Sequence, residues 1–299
     1  MGKDKIHANW FMILNMLSGY LVSIFFYDVI KLFGVNIEGT LYDNVVQIIY
    51  LAITVTVPSI LYFYNVFDFN EFKKNYMMPV KIKEIPYYIL IAAALWCVSI
   101  FLNGILDMLL ARVGITPIEQ LTDSNDTLTI FMGFVGVCIA APIFEEFFFR
   151  GVLFSGFREY GSFTAILASS LLFAIAHGSV TIFILPLIYG SACGYVVRYK
   201  KSIYPGIIMH AVCNFISWMI FITEIHGDAE NFVNLIVMTV GSIITFATVV
   251  YIIIFIHRNT KWFFENLTIL FKSFAAEITW IGIFIIYFIN NILAHMSMK

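Results

Sequence analysis

Long apolar runs recur along this chain, each near the roughly 20 residues that cross a hydrocarbon core. They fall at about 10–33, 44–66, 86–110, 128–155, 162–177, 180–197, 203–223, 232–256 and 277–295. Lipid offers a backbone no hydrogen-bonding partners, so each run predicts a helix. The expected fold is all-α: a polytopic membrane helix bundle of about eight or nine transmembrane helices. The fifth run is short. Glu277, Asn290 and Asn291 fray the ninth, so eight crossings followed by an interfacial C-terminal helix is the alternative.

Between the runs, Lys and Arg alternate in abundance, which is the pattern that sets orientation. Basic stretches hold Lys3 and Lys5; Lys73, Lys74, Lys81 and Lys83; Arg158; Arg198, Lys200 and Lys201; and Arg258, Lys261 and Lys272. The stretches between are poor in cations, Arg112 excepted, and hold Glu38, Asp43, Glu119, Asp123, Asp126, Glu224, Asp228 and Glu230. The N-terminus and the basic loops at 67–85, 198–202 and 257–276 are therefore expected in the cytoplasm, in a multi-pass plasma (cell) membrane protein. The first run is too long for a signal-peptide core and reads as a retained helix.

Composition agrees with the pattern: 61% of residues are hydrophobic and 12% charged, against roughly 25% charged in a soluble domain. The mean hydropathy is +0.91. The net charge of −2 is sorted by side and not pooled in a patch, and no nucleic-acid partner is suggested. The implied partner is the lipid bilayer. Cys97, Cys138, Cys193 and Cys213 all fall within spans, without CxxC spacing, so neither a disulfide framework nor a Cys-ligated metal is expected. No repeat is evident, and residues 1–299 read as a single membrane domain. Its functional core is expected at 128–223, a four-helix catalytic core that carries the intramembrane polar groups and many small residues suited to close packing.

Three short stretches place ionisable groups at lipid depth: Glu145-Glu146-Phe-Phe-Phe-Arg150, Phe173-Ala-Ile-Ala-His177 and His210-Ala-Val-Cys-Asn214. A charge at the centre of an isolated helix costs at least a few kcal/mol, so such a cluster points to function. Glu146 and Arg150 are i, i+4 neighbours able to neutralise one another. Glu145 points about 100° away on a helical wheel and is left free. Pro142 withholds an N–H from the turn before them, which predicts a kinked or loosened helix there. Phe173/His177 and His210/Asn214 repeat the i, i+4 spacing, so each pair presents one helix face to a shared interior. A free Glu, two His and an Asn can activate water and stabilise an oxyanion. They also suit a divalent ion such as Zn²⁺, held by Glu145, His177 and His210 if at all. There is no H-E-x-x-H, G-x-S-x-G or Ser/Lys nucleophile pattern.

In that order, the three motifs resemble those of the CAAX protease and bacteriocin-processing family, also called Abi or type II CAAX prenyl endopeptidase-like proteins. The resemblance covers about residues 128–220. It implies an intramembrane endopeptidase, its partner a peptide or protein substrate at the membrane, in which Glu145 activates water with His177 assisting. His210 and Asn214 then stabilise the oxyanion, and Glu146 and Arg150 form a supporting ion pair beside Phe173. It leaves open whether a metal takes part. Two other readings stand beside it: a non-proteolytic regulatory or bacteriocin-immunity protein of the same fold, and a transporter using these residues as an ion path. By rise along the helices, His210 should lie roughly 10 Å inside the basic face and Glu145 roughly 15–20 Å. His177 falls nearer the far side. That mismatch calls either for tilted helices or for a different end to the fifth run. The catalytic cavity is expected to open toward the basic, cytoplasmic side.

Overall fold

The structure, a computed structural model, describes residues 8–34, 39–112, 114–115, 126–224 and 229–275. All of the named regular elements are helices. Helix α1 (Ala8–Ser23) runs on through a π-helical stretch, Ile24–Val29, to Leu32. Then come α2 (Thr40–Asn65), α3 (Phe69–Tyr76) and α4 (Ile85–Ala111). A long helix, α5 (Thr127–Tyr160), is followed by α6 (Ser162–Ala176), α7 (Ile184–Lys200), α8 (Tyr204–Glu224), α9 (Ala229–Arg258) and α10 (Thr260–Ala275). The expected all-α membrane bundle is thus the fold. Among the described residues, five helices are long and apolar enough to cross a bilayer: Trp10–Leu32, Thr40–Asn65, Ile82–Ala111, Thr127–Tyr160 and Met238–Arg258. The ninth run, Lys3, Lys5, Glu38, Glu119, Asp123 and Asp228 lie outside the described residues.

The basic stretches meet on one face. Met78 N–H donates to the Lys201 carbonyl at 3.0 Å and Ile203 N–H to that of Tyr76 at 2.8 Å. Lys200 pairs with Glu84 at 3.1 Å, Arg198 donates to Ser162 at 2.6 Å, and Arg158 reaches the Tyr76 hydroxyl at 3.4 Å. Trp262 at the start of α10 packs edge-on against Phe163. At the other end of the bundle, Asn44 donates to the Thr129 carbonyl and Asp126 caps α5 through the Thr129 N–H. The alternation read from the sequence is therefore built into the fold as two opposite faces.

Two of the expected basic loops contain helices. Within 67–85, Asp68 accepts from the N–H groups of Asn70 and Glu71, a cap that starts α3. Its Phe72 and Tyr76 are buried against α5. The stretch 257–276 holds α10, which turns Phe263, Leu267 and Leu270 inward at i, i+4, i+7 and leaves Lys261, Glu265 and Lys272 exposed.

Helix α6 ends where the sequence puts it, with Gly178 at φ 69° just past His177. At 15 residues it spans only about 22 Å, short of the roughly 30 Å hydrocarbon core, so His177 stays inside the bundle. Fifteen residues also separate Glu145 from Tyr160, so the two functional groups are level. The shallow depth expected for His210 is corrected by the α7–α8 connection. Ser202 and Ile203 are each 2% exposed, tucked beneath α3, and α8 begins inside the bundle.

Candidate active site

Helix α5 is α-helical only in pieces. π-helical stretches at Val135–Ala140 and Phe147–Leu153 flank the segment Ala141–Glu146 that carries both glutamates. Such stretches widen a helix by one residue and often mark functional positions. In the first, Ala141 N–H bonds back to the Gly136 carbonyl. Pro142 has no N–H. The Val137 carbonyl is thereby deprived of both the α-type donor, residue 141, and the π-type donor, residue 142. Asn214 of α8 fills the vacancy, its Nδ2 lying 2.8 Å from Val137 O.

Helix α2 repeats the device. Pro58 cannot bond to the Thr54 carbonyl four residues earlier, and Asn15 of α1 donates to that carbonyl at 2.8 Å. Each proline break is closed by an asparagine from a neighbouring helix, as lipid demands of a freed backbone group.

Beyond Pro142, the Arg150 guanidinium and the Glu146 carboxylate are fully buried and lie 3.1 Å apart. Arg150 sits over the Phe173 ring at 4.2 Å, within cation–π range. Their slot exists because two neighbours lack side chains. A Cβ on Gly190 would come within 2.5 Å of Arg150 Nη2, and one on Gly206 within 2.8 Å of Glu146 Oε2. Tyr189 donates to the Gly206 carbonyl at 2.8 Å and holds that wall in place.

His210 links this pair to the second glutamate. Its Nδ1 is 3.2 Å from Glu146 Oε1 and its Nε2 is 3.8 Å from Glu145 Oε2. A carboxylate already paired with Arg150 is an acceptor, which fixes the proton on Nδ1 and turns Nε2 toward Glu145. Phe173 and Tyr189 clamp the His210 ring, with centroids 5.6 and 5.0 Å away. The sequence thus yields a buried chain, Arg150–Glu146–His210–Glu145, across α5 and α8.

His177 is oriented differently. As α6 ends, the Phe173 carbonyl is left for the imidazole, and Nδ1 lies 2.8 Å from it. A carbonyl only accepts, so Nδ1 carries the proton and Nε2 presents a lone pair. His177 is exposed and lines a cavity of about 140 Å³. Glu145, 20% exposed at its side chain, lines the same cavity together with Asn15, Tyr50, Thr54 and Phe149.

Of the expected site residues, then, Glu145, His177 and Phe173 line one cavity. Glu146, Arg150 and His210 lie behind Glu145, and Asn214 is engaged with Val137. Asn15, Tyr50 and Thr54 were missed, because α1 and α2 carry no motif. The available signals were an Asn in the first span and a Pro in the second. Among the described residues no three His, Cys, Asp or Glu side chains come together as a metal-holding set. The donor set does not fit the three-residue centre, and no step below is routed through a metal.

Comparison with known proteins agrees with the motif reading where it applies. Residues 127–216 match the family described as type II CAAX prenyl endopeptidase Rce1-like. That stretch covers α5, α6 and α7 and enters α8, the helices that carry all three motifs. No curated relative and no solved structure matches the chain.

Proposed function

We propose that the chain is an intramembrane endopeptidase that hydrolyses peptide bonds of membrane-associated peptides or proteins. One observation carries the reading: Glu145 and His177, level with one another, face a single cavity at mid-depth, with Glu145 backed by the Arg150–Glu146–His210 chain.

In this mechanism water sits between Glu145 and Nε2 of His177. Glu145 accepts its proton as the oxygen attacks the scissile carbonyl, and the Nδ1 bond to Phe173 keeps the imidazole lone pair aimed at the nucleophile. The oxyanion is met by the amide hydrogen of Asn214 not used on Val137, part of the role the family resemblance assigns to His210 and Asn214, while His210, its proton on Nδ1 and its Nε2 unprotonated, stands behind Glu145. Arg150 pairs with Glu146, and Glu146 holds the His210 ring. Glu145 then returns its proton to the leaving amine. The basic face is assigned to the cytoplasm.

A second reading has one observation in its favour. His210 and Asn214 are both tied to α5, which is also what a non-proteolytic regulatory protein of this fold would need. The test reconstitutes the purified chain with a CAAX-type reporter peptide, prenylated or not, and compares it with Glu145→Gln. Cleavage that Glu145→Gln abolishes supports the endopeptidase. Cleavage unchanged in the variant would overturn the assignment.

A further inference from the structure

From the Glu145 cavity, space continues away from the basic loops. A second cavity of about 170 Å³ adjoins it, and the two have Asn15, Tyr50 and Ala176 in common. The second is lined further by Met16, Gly19, Tyr20 and Ser23 of α1. The register of α1 against α2 gives its direction. Phe11 meets Tyr62 near the basic face, Asn15 meets Thr54 at mid-depth, and Tyr27 donates to Asp43 at the opposite end. Passing from Asn15 to Ser23 is therefore movement away from the basic loops, along the α1–α2 seam. The opening expected from the sequence lies on the other side.

Tyr50 stands where the two cavities meet. Gly19 makes room for it: a Cβ there would lie 2.5 Å from the Tyr50 hydroxyl oxygen. That hydroxyl makes no hydrogen bond among the described residues, so neither the α1 nor the α2 backbone holds the side chain in this position. On the endopeptidase reading, a peptide carbonyl open to attack cannot be enclosed in a helix's own hydrogen bonds, so the segment that reaches Glu145 is unwound.

We propose that Glu145 is reached along this seam from the face opposite the basic loops, past a Tyr50 gate, by a polypeptide segment in extended form. The assignment of the occupant rests on the endopeptidase reading; the passage itself does not. An extended segment exposes backbone N–H and C=O groups that need partners at this depth. The Tyr50 hydroxyl and the Ser23 side chain along the seam provide them, and Gly19 leaves space for the chain only when the Tyr50 ring swings aside.

The test uses the full-length chain in proteoliposomes, with its four native cysteines replaced and a small charged methanethiosulfonate as probe. Thr127→Cys and Lys83→Cys mark the two faces. Ala176→Cys should be modified from the face on which Thr127→Cys reacts, and Leu21→Cys, which is 67% exposed on the outside of the bundle, should not. Adding Ser23→Trp at the mouth should slow Ala176→Cys at least tenfold, and Tyr50→Ala should accelerate it. The control is that Thr127→Cys labels normally in the Ser23→Trp protein. Labelling of Ala176→Cys from the Lys83→Cys face, or a rate indifferent to Ser23→Trp, would overturn the passage. Intact labelling with no cleavage of any reporter would count against the peptide occupant alone.

Discussion

If the Asn214 amide serves as the missing donor for Val137, its energetic worth depends on Pro142, and that dependence is measurable. Removing the amide with Asn214→Ala leaves a helix-interior carbonyl without a partner, which costs about 1–3 kcal/mol. Interhelical hydrogen bonds in membranes average nearer 0.6 kcal/mol, with a maximum of about 1.7, because the separated helix finds other partners. Here the separated helix has none, since Ala141 is bonded to Gly136 and Pro142 has no N–H, so the loss should fall at about 1–2 kcal/mol. Pro142→Ala restores an N–H within reach of the same turn. In that background Asn214→Ala should cost almost nothing, giving a coupling of about 1 kcal/mol between two residues of different helices. Reversible unfolding of the four proteins of the cycle in mixed micelles reads this directly. Equal costs of Asn214→Ala in both backgrounds, to within about 0.3 kcal/mol, would refute the donor argument. Turnover separates the second role: Asn214→Ala should lower kcat by about 10²–10³, and Pro142→Ala should restore stability without restoring that loss.

Glu145→Gln and His177→Ala should each abolish cleavage while the protein still inserts and purifies as wild type; undiminished turnover in either would remove that residue from the chemistry. Arg150→Ala leaves the Glu146 carboxylate uncompensated at zero exposure. It should destabilise by about 3–5 kcal/mol, with partial recovery on adding Glu146→Gln, and a variant as stable as wild type yet inactive would make Arg150 a substrate contact. Gly206→Ala should act through Glu146, whose Oε2 stands 2.8 Å from the new methyl, lowering both stability and activity, whereas Gly104→Ala, with open space around it, should do neither. In intact cells an impermeant thiol reagent should miss cysteines at Lys83 and Lys201 and reach one at Thr127, and the reverse pattern would invert the assigned orientation.

The bundle and its two faces were legible because hydropathy and Lys/Arg placement act residue by residue. The ion pair between Glu146 and Arg150 was legible because i, i+4 neighbours meet in any helical geometry near ideal. Other features were hidden for physical reasons. The π-helical stretches on either side of the glutamates change the turn by less than the pattern resolves. The start of α8 depends on Ser202 and Ile203 tucking under α3, a tertiary contact. Asn15, Tyr50 and Thr54 belong to the site only because α1 and α2 pack across α5 and α6. His210 and Asn214 were legible as functional residues, but their tie to α5 was not, because it depends on which carbonyl a broken helix leaves open.

The asparagine closures also bear on how the molecule is assembled. Helix α2 enters lipid with the Thr54 carbonyl open at Pro58, and its partner Asn15 lies on the helix made just before it. That hairpin can seal as soon as it is inserted. The opening at Val137 waits for Asn214, 77 residues later in the chain. Until α8 arrives, the glutamate-bearing turn of α5 is a helix with a polar gap that only water or a chaperoning partner can fill. Truncation before Asn214 should therefore leave α1 and α2 paired but α5 poorly retained in the membrane, so that the half bearing the two glutamates matures after the α1–α2 hairpin.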